Sequence, residues 1–123
     1  MIKIAVVSGN VVRVTAPEKL KADDFREITP QVDSILAQHP KIRLVVDFSA
    51  FKGWENMEAF QHHASFVKTH YQKVDRIAVV VGHDWQRWLA GAIKAFLQLN
   101  MRVFDKNQAD EALRWIETEG AAS

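Results

Sequence analysis

The chain has 123 residues, of which 48% are hydrophobic and 25% charged, with a net charge of +1 and no cysteine. A chain of this size and composition is typical of one globular domain that buries its own core. The near-neutral charge argues against nucleic-acid partners, and the lack of cysteine excludes disulfides and thiolate chemistry. Neither a signal peptide nor an apolar run of membrane-spanning length is apparent, so we expect a cytoplasmic protein with no transmembrane segment.

The first third of the chain predicts a β-hairpin and then a helix. Residues 2–7 and 11–15 are β-branched runs on either side of Gly9-Asn10, a pair that is typical of a hairpin turn. From residue 22 to residue 38, apolar side chains recur at spacings of three and four, which predicts an amphipathic helix. Pro30 falls inside this pattern, so the helix should be kinked there or divided into two pieces.

The rest of the chain alternates between strand and helix patterns. Three apolar runs are predicted to be strands, the first two buried on both faces: residues 42–48, 76–81 and 101–104. Three periodic patterns are predicted to be helices: residues 55–71, residues 84–99 with Asp84 as N-cap, and a final helix capped by Asn107. The first of these helices is expected to bury one stripe of side chains: Met57, Phe60, Ala64, Val67 and Tyr71.

The predicted order of elements is therefore ββαβαβαβα. Alternating strands and helices imply an α/β fold, with a mixed, mostly parallel five-stranded sheet flanked by helices. We expect one domain over residues 1–119 and a frayed tail over residues 120–123.

The sequence contains none of the common motifs for a cofactor or a nucleophile. A nucleophile elbow, a phosphate-binding loop and a dinucleotide-binding glycine motif are all absent. No two of the five histidines have the i, i+4 spacing of a zinc site on a helix, so we expect no metal and no cofactor. One enzymatic alternative is His83, which follows a strand end and could act with Asp84 or Asp47.

The predicted helix over residues 84–99 has an unusually apolar stripe. Its members follow helical spacing: Trp85, Trp88, Leu89, Ala92, Ile93, Phe96 and Leu97. Such a stripe favours a helix that packs on the core. A second interpretation is a movable lid whose two tryptophans cover an apolar pocket, because an indole N–H is costly to bury without a partner. Only Arg87 and Lys94 supply positive charge, which disfavours a helix lying in a membrane surface.

A series of short motifs resembles one known family over essentially the whole chain. The central motif is Asp47-Phe48-Ser49 followed by Phe51-Lys52-Gly53-Trp54. Others accompany it in order: Asp24-Phe25, Pro30, Lys41-Ile42-Arg43, Arg76-Ile77-Ala78-Val79-Val80, Asp84-Trp85, Arg102-Val103-Phe104 and Ala112-Leu113-Arg114-Trp115-Ile116. On these residues the chain resembles the SpoIIAA-like (STAS-type) family, and within it a small, functionally uncharacterised bacterial branch.

The resemblance implies a SpoIIAA-like fold and a module that binds ligands or partner proteins without enzymatic activity. Antagonists of anti-sigma factors in this family carry a phosphorylatable Ser or Thr where the helix after the Asp-x-Ser strand begins. The matching residues here are Glu55-Asn56-Met57, so phosphorylation is not expected. The branch is also structurally similar to CRAL-TRIO lipid carriers, which favours an apolar ligand.

The leading hypothesis is a binding site for an apolar small molecule or lipid where the parallel strands end. We predict that it is lined by the loop around Phe51 and by the helix over residues 84–99. The candidate ligand-binding residues are Phe51, Trp54, Trp85, Trp88, Leu89 and Phe96. An alternative is a protein–protein interaction module, in which the same helix packs against a second copy to form a homodimer.

Overall fold

The computed structural model describes residues 1–122, with the side chains of residues 1–117. The frayed tail expected at residues 120–123 falls outside these described side chains, and Ser123 lies wholly outside. Seven strands are present in the described chain: β1 (Lys3–Ser8), β2 (Val11–Thr15), β3 (Lys19–Leu20), β4 (Ile42–Asp47), β5 (Gly53–Trp54), β6 (Val74–Val81) and β7 (Met101–Asp105). Four α-helices lie between and after them: α1 (Ala22–Gln38), α2 (Met57–His70), α3 (Asp84–Leu97) and α4 (Ala109–Ala122).

Five of the strands form the predicted mixed sheet, in the spatial order β1-β2-β4-β6-β7. The β1–β2 hairpin is antiparallel, and its turn contains Gly9 at φ 51°, a left-handed conformation that glycine adopts without steric cost. The pairs β2–β4, β4–β6 and β6–β7 are all parallel. The α/β fold class and the element order of the main sheet are therefore confirmed.

A second, two-stranded sheet was not predicted. The strands β3 and β5 pair in parallel, with Leu20 opposite Trp54. Backbone hydrogen bonds extend the pair on both sides, from Lys52 N to Glu18 O and from Glu55 N to Leu20 O. Two residues are too few to show an alternating pattern, so the sequence could not reveal these strands. Their pairing fixes the loop that carries Trp54.

Helix α1 is continuous through Pro30, so the predicted division into two pieces is wrong. Proline removes one backbone donor from the helix, and burial of Phe25, Ile28 and Val32 along one face holds the helix against the core. The hydroxyl of Thr29 donates to Phe25 O at 2.6 Å, beside the position where the proline lacks its N–H.

The starts of three helices differ from the prediction. Asn56 caps α2 through its side-chain oxygen, which accepts from Ala59 N at 2.9 Å, so that helix begins at Met57. His83, and not Asp84, is the N-cap residue of α3. Asn107 lies within a short 3₁₀ turn, Lys106–Gln108, and does not cap the last helix. Periodicity alone does not specify which residue caps a helix.

The inward face of α2 also differs from the expected stripe. Met57 is 67% exposed, and Phe60 and Ala64 also face solvent. Ala59, His63 and Phe66 lie on the inner side instead. Val67 and Tyr71 of the expected stripe do line the inner side. The stripe omitted His63, because a histidine gives no apolar signal in the sequence. Here the His63 ring stacks on Phe25, with ring centroids 5.1 Å apart, and so takes the place of an aliphatic core residue.

The helices form one layer on each face of the sheet. On one face, α4 packs its fully buried Ala112 and Ile116 against side chains from four strands: Val11, Val45, Ala78, Val80 and Phe104. The other face is covered by α1, α2 and α3. Phe25 and Ile28 of α1 and Ala90 of α3 belong to two further clusters of buried residues, and Phe66 of α2 packs against the first of these clusters. A cavity on this second face is the candidate site.

Candidate functional site

An apolar cavity of about 210 Å³ lies between the sheet and the layer formed by α1, α2 and α3. Its floor consists of strand side chains that point to the same face of the sheet, because successive residues of a strand alternate between faces. These are Val12, Val14, Leu44, Val46, Ile77 and Val79. The helices supply its roof, which includes Phe25, Ile28, Phe66, Val67, Leu89 and Ile93.

Few polar atoms face this cavity. Of the described side chains that line it, only Trp54, His63, His70 and Tyr71 carry a nitrogen or an oxygen, and none is a lysine, arginine, aspartate or glutamate. The ring nitrogens of His70 are already engaged: Nδ1 lies 2.8 Å from Phe66 O, and Nε2 lies 3.0 Å from a carboxylate oxygen of Asp33. The cavity is therefore suited to an uncharged, apolar guest.

His63 is held by two aromatic neighbours. The indole Nε1–H of Trp54 donates to Nδ1 of His63 at 3.0 Å, and the ring of Phe25 stacks on the imidazole. An indole nitrogen can only donate, so Nδ1 carries the lone pair and Nε2 carries the proton. Burial lowers the pKa of His63 from 6.5 to about 4, so the ring is neutral at pH 7.

The depressed pKa of His63 predicts a loss of stability in mild acid. Above pH 6.5 the histidine is neutral in both the folded and the unfolded chain. Between pH 6.5 and pH 4 the unfolded chain binds a proton that the folded chain does not, so unfolding becomes easier as the pH falls. The contribution at stake is about 3 kcal/mol.

Urea denaturation at pH 7.0, 5.5 and 4.5 measures this effect. The His63→Gln variant should lose less stability than the wild-type protein between pH 7.0 and 4.5. His62→Gln, at the adjacent position of α2, should lose as much stability over this pH range as the wild-type protein. If the wild-type protein and His63→Gln lose equal amounts of stability, His63 is not the histidine that destabilises the fold in acid.

The six predicted site residues lie in three different environments. Trp54 and Leu89 line the cavity. Phe51 does not line it: the side chain is 1% exposed and packs beneath the loop, with ring centroids 5.1 Å from Trp54 and 6.0 Å from Trp85. Phe51, Trp54 and Trp85 thus form one aromatic cluster next to the cavity, and we call it the rim cluster.

The remaining two predicted residues, Trp88 and Phe96, lie on the solvent side of α3. They are 74% and 86% exposed. The helix turns only part of its apolar stripe inward, through Leu89 and Ile93, and it also buries Ala90, which lies outside the stripe. Its outer face is also apolar, so a single wide stripe in the sequence conceals two faces with different environments.

Gln86 lies outside the apolar stripe predicted for α3, yet its side chain is 3% exposed. Its Oε1 accepts from Gly82 N at 2.7 Å and from His83 N at 3.2 Å. Its Nε2 donates to Ser49 O at 3.3 Å and to Phe51 O at 2.7 Å. One amide therefore joins the start of α3 to the loop that carries the rim cluster, and a lone glutamine gives no such signal in a sequence.

The edge where β4 and β6 end carries Asp47 and His83, two residues of the enzymatic alternative. Asp47 uses its Oδ1 to accept from Ser49 N at 2.9 Å and from Ser49 Oγ at 2.6 Å, which shapes the turn after β4. The side chain of His83 makes no hydrogen bond with Asp47 or Asp84 in residues 1–117. Nowhere in that range do three histidine or acidic side chains come together as a metal site would require.

Comparison with known proteins identifies the family. The model of the SpoIIAA-like family matches residues 11–117. The chain belongs to the SpoIIAA-like family. No protein of curated function matches its sequence.

Two solved structures share the SpoIIAA-like fold with this chain. The first is an uncharacterized protein of the DUF3478 family from Shewanella loihica PV-4, at 20% identity and a TM-score of 0.76; the match covers 94% of this chain and 92% of that one. The second is the phosphorylated form of the Bacillus cell fate determinant SpoIIAA, at 10% identity and a TM-score of 0.56, over 93% and 100%. At these identities the likeness establishes the fold.

Two further features of this SpoIIAA-like chain concern the start of α2 and the length and polarity of its helices. At the start of α2, where family antagonists carry a phosphorylatable residue, Asn56 uses its side chain to cap the helix. Within residues 1–122, every helix is too short or too polar to cross a lipid bilayer.

Proposed function

We propose that this SpoIIAA-like protein is a non-enzymatic module that binds a small apolar molecule in the cavity beneath α1, α2 and α3. The observation that supports the proposal is the cavity itself, about 210 Å³ with an almost wholly aliphatic and aromatic lining. Protein interiors are normally packed as closely as organic crystals, so a hollow of this size forgoes many dispersion contacts. A bound apolar molecule would restore them.

The volume of the cavity limits the size of the ligand. An apolar cavity of about 150 Å³ stays dry and binds benzene. The cavity here, at about 210 Å³, has room for a ligand of one substituted aromatic ring or a short branched aliphatic chain. A long acyl chain would require α1 and α2 to move away from the sheet. We therefore favour a small hydrophobic compound over a membrane lipid.

Toluene is a suitable probe, because it fills the space and forms no strong hydrogen bonds. Titration followed by methyl and amide chemical shifts should move the signals of Val46, Ile77 and Leu89. In Val46→Phe the new ring occupies the floor of the cavity, and toluene affinity should fall by about tenfold or more. Val6→Phe makes the same change on the exposed edge strand β1 and should leave the affinity unchanged. If toluene binds Val46→Phe as tightly as the wild-type protein, the cavity is not the binding site.

A second candidate function rests on the outer face of α3. Exposed apolar patches that include aromatic side chains often mark protein interfaces. Trp88 and Phe96, together with the half-exposed Trp85, form such a patch. We propose that it packs against the same face of a second copy.

Sedimentation tests this self-association directly. The wild-type protein should form dimers as its concentration is raised, and Trp88→Glu should shift the population to monomer. Met57→Glu, at an equally exposed apolar position on α2, should not. A wild-type protein that stays monomeric at millimolar concentration would rule the dimer out.

A further inference from the structure

We infer that His63 anchors the cavity ligand by donating a hydrogen bond from Nε2–H, and that the ligand is an uncharged apolar molecule with one acceptor oxygen. This inference rests on the proposed function and names the ligand class of the same site. Aryl ketones, phenols and short esters belong to this class.

The orientation of the His63 ring supports a donor role. Its Nδ1 accepts from Trp54 Nε1 at 3.0 Å, and its face stacks on Phe25 at an interplanar angle of 21°. These two contacts leave one rotamer and one tautomer, with the proton on Nε2. The direction of the donor is therefore fixed before a ligand arrives, which reduces the entropy lost on binding.

The Nε2–H of His63 is not used by the protein. Within residues 1–117 it makes no hydrogen bond, and His63 is among the residues that line the cavity. The other polar side chains there have partners of their own: Trp54 donates to His63, His70 contacts Phe66 and Asp33, and the Tyr71 hydroxyl lies 3.4 Å from Gln72 Nε2. The Nε2 atom keeps accessible surface, so a ligand that supplies an acceptor can reach it.

The cavity has no positively charged side chain among the described residues, which indicates that its ligand is uncharged. No lysine or arginine is among its lining residues, and burial keeps His63 neutral at pH 7. A carboxylate would enter without a cation to pair with, and an unpaired buried charge is strongly disfavoured. A neutral oxygen needs only the one donor that His63 provides.

Three probes of similar size test whether the ligand needs an acceptor oxygen and whether it must be uncharged. Acetophenone has a carbonyl acceptor, ethylbenzene has none, and benzoate is charged. Acetophenone should bind the wild-type protein about fivefold more tightly than it binds His63→Leu. Ethylbenzene should bind both proteins equally well or should favour His63→Leu. Benzoate at pH 7 should bind the wild-type protein at least about tenfold more weakly than acetophenone. His63→Gln, which keeps an N–H donor, should retain the preference for acetophenone.

A spectroscopic measurement tests the anchor without any variant, in case His63→Leu does not fold. The nitrogen-15 chemical shift of His63 Nε2, read through two-bond proton–nitrogen correlation, should report the predicted tautomer in the free protein. It should move on addition of acetophenone and stay constant on addition of ethylbenzene.

The possible results separate two claims, that His63 donates a hydrogen bond to the ligand (the anchor) and that the cavity binds apolar molecules (the cavity function). If acetophenone and ethylbenzene both bind but neither depends on His63 nor moves its Nε2 signal, the anchor is overturned and the cavity function stands. Benzoate binding as tightly as acetophenone overturns the neutral ligand class. If none of the three probes binds, both the proposed function and the anchor fall.

Discussion

Replacing Phe51 with alanine should lower the free energy of unfolding by about 4 kcal/mol, the usual cost of truncating a fully buried phenylalanine. The side chain is 1% exposed and belongs to a buried cluster with Leu20, Phe25 and Ile28. Its ring also contacts Phe48, with centroids 4.8 Å apart. Truncation would leave a void at the point where the β3–β5 pair, the loop and α3 meet.

Urea denaturation of Phe51→Ala and Phe96→Ala compares how much stability each of these two phenylalanines of the predicted site contributes. Phe96 is 86% exposed, so its removal should change stability by no more than about 0.5 kcal/mol. Similar losses in the two variants would mean that Phe51 does not have the buried position described above. Because Phe51 does not line the cavity, folded Phe51→Ala should still bind toluene.

The Gln86→Leu substitution should cost about 3 kcal/mol, although leucine is more hydrophobic than glutamine and similar in size. The loss arises because Gly82 N, His83 N and Phe51 O each lose a hydrogen-bond partner in partly or fully buried surroundings. An unsatisfied buried polar group costs about 1–3 kcal/mol, and solvent can compensate only the most exposed of these.

Gln61→Leu is the matched control for this substitution, because Gln61 lies on the exposed face of α2. It should change stability by about 0.5 kcal/mol or less. Thermal or urea unfolding of both variants gives the comparison. A neutral Gln86→Leu would show that the amide bonds across the loop contribute little and that α3 is held by its apolar contacts alone.

The success of the fold prediction has a clear physical origin. Strands β4 and β6 have helices on both faces of the sheet, and each contains an apolar run, residues 44–46 and residues 77–81. Such runs are typical of strands that are covered on both faces. The hairpin turn needs a left-handed residue, and Gly9 supplies it. These signals are local, and the parallel pairing then follows from the alternation of strands and helices.

The candidate site was only partly predictable, for three reasons. A cavity and a packed core have the same sequence pattern, because both are lined by valine, leucine and isoleucine. The stripe on α3 gave no indication that Trp88 would face solvent while Leu89 turned inward. The roles of His63 and Gln86 depend on partners 9 and 35 residues away in the chain, at Trp54 and Phe51, which periodicity does not connect.

The cavity on one face of the sheet has a consequence for the response of the protein to pressure. Unfolding removes internal voids, so pressure favours the unfolded chain in proportion to the empty space that the native state encloses. The α4 face buries Ala112 and Ile116 completely, and the hollow of about 210 Å³ lies on the opposite face. Compression should therefore loosen the layer of α1, α2 and α3 while β4, β6 and α4 remain together, and a ligand that fills the hollow should make the protein resistant to pressure.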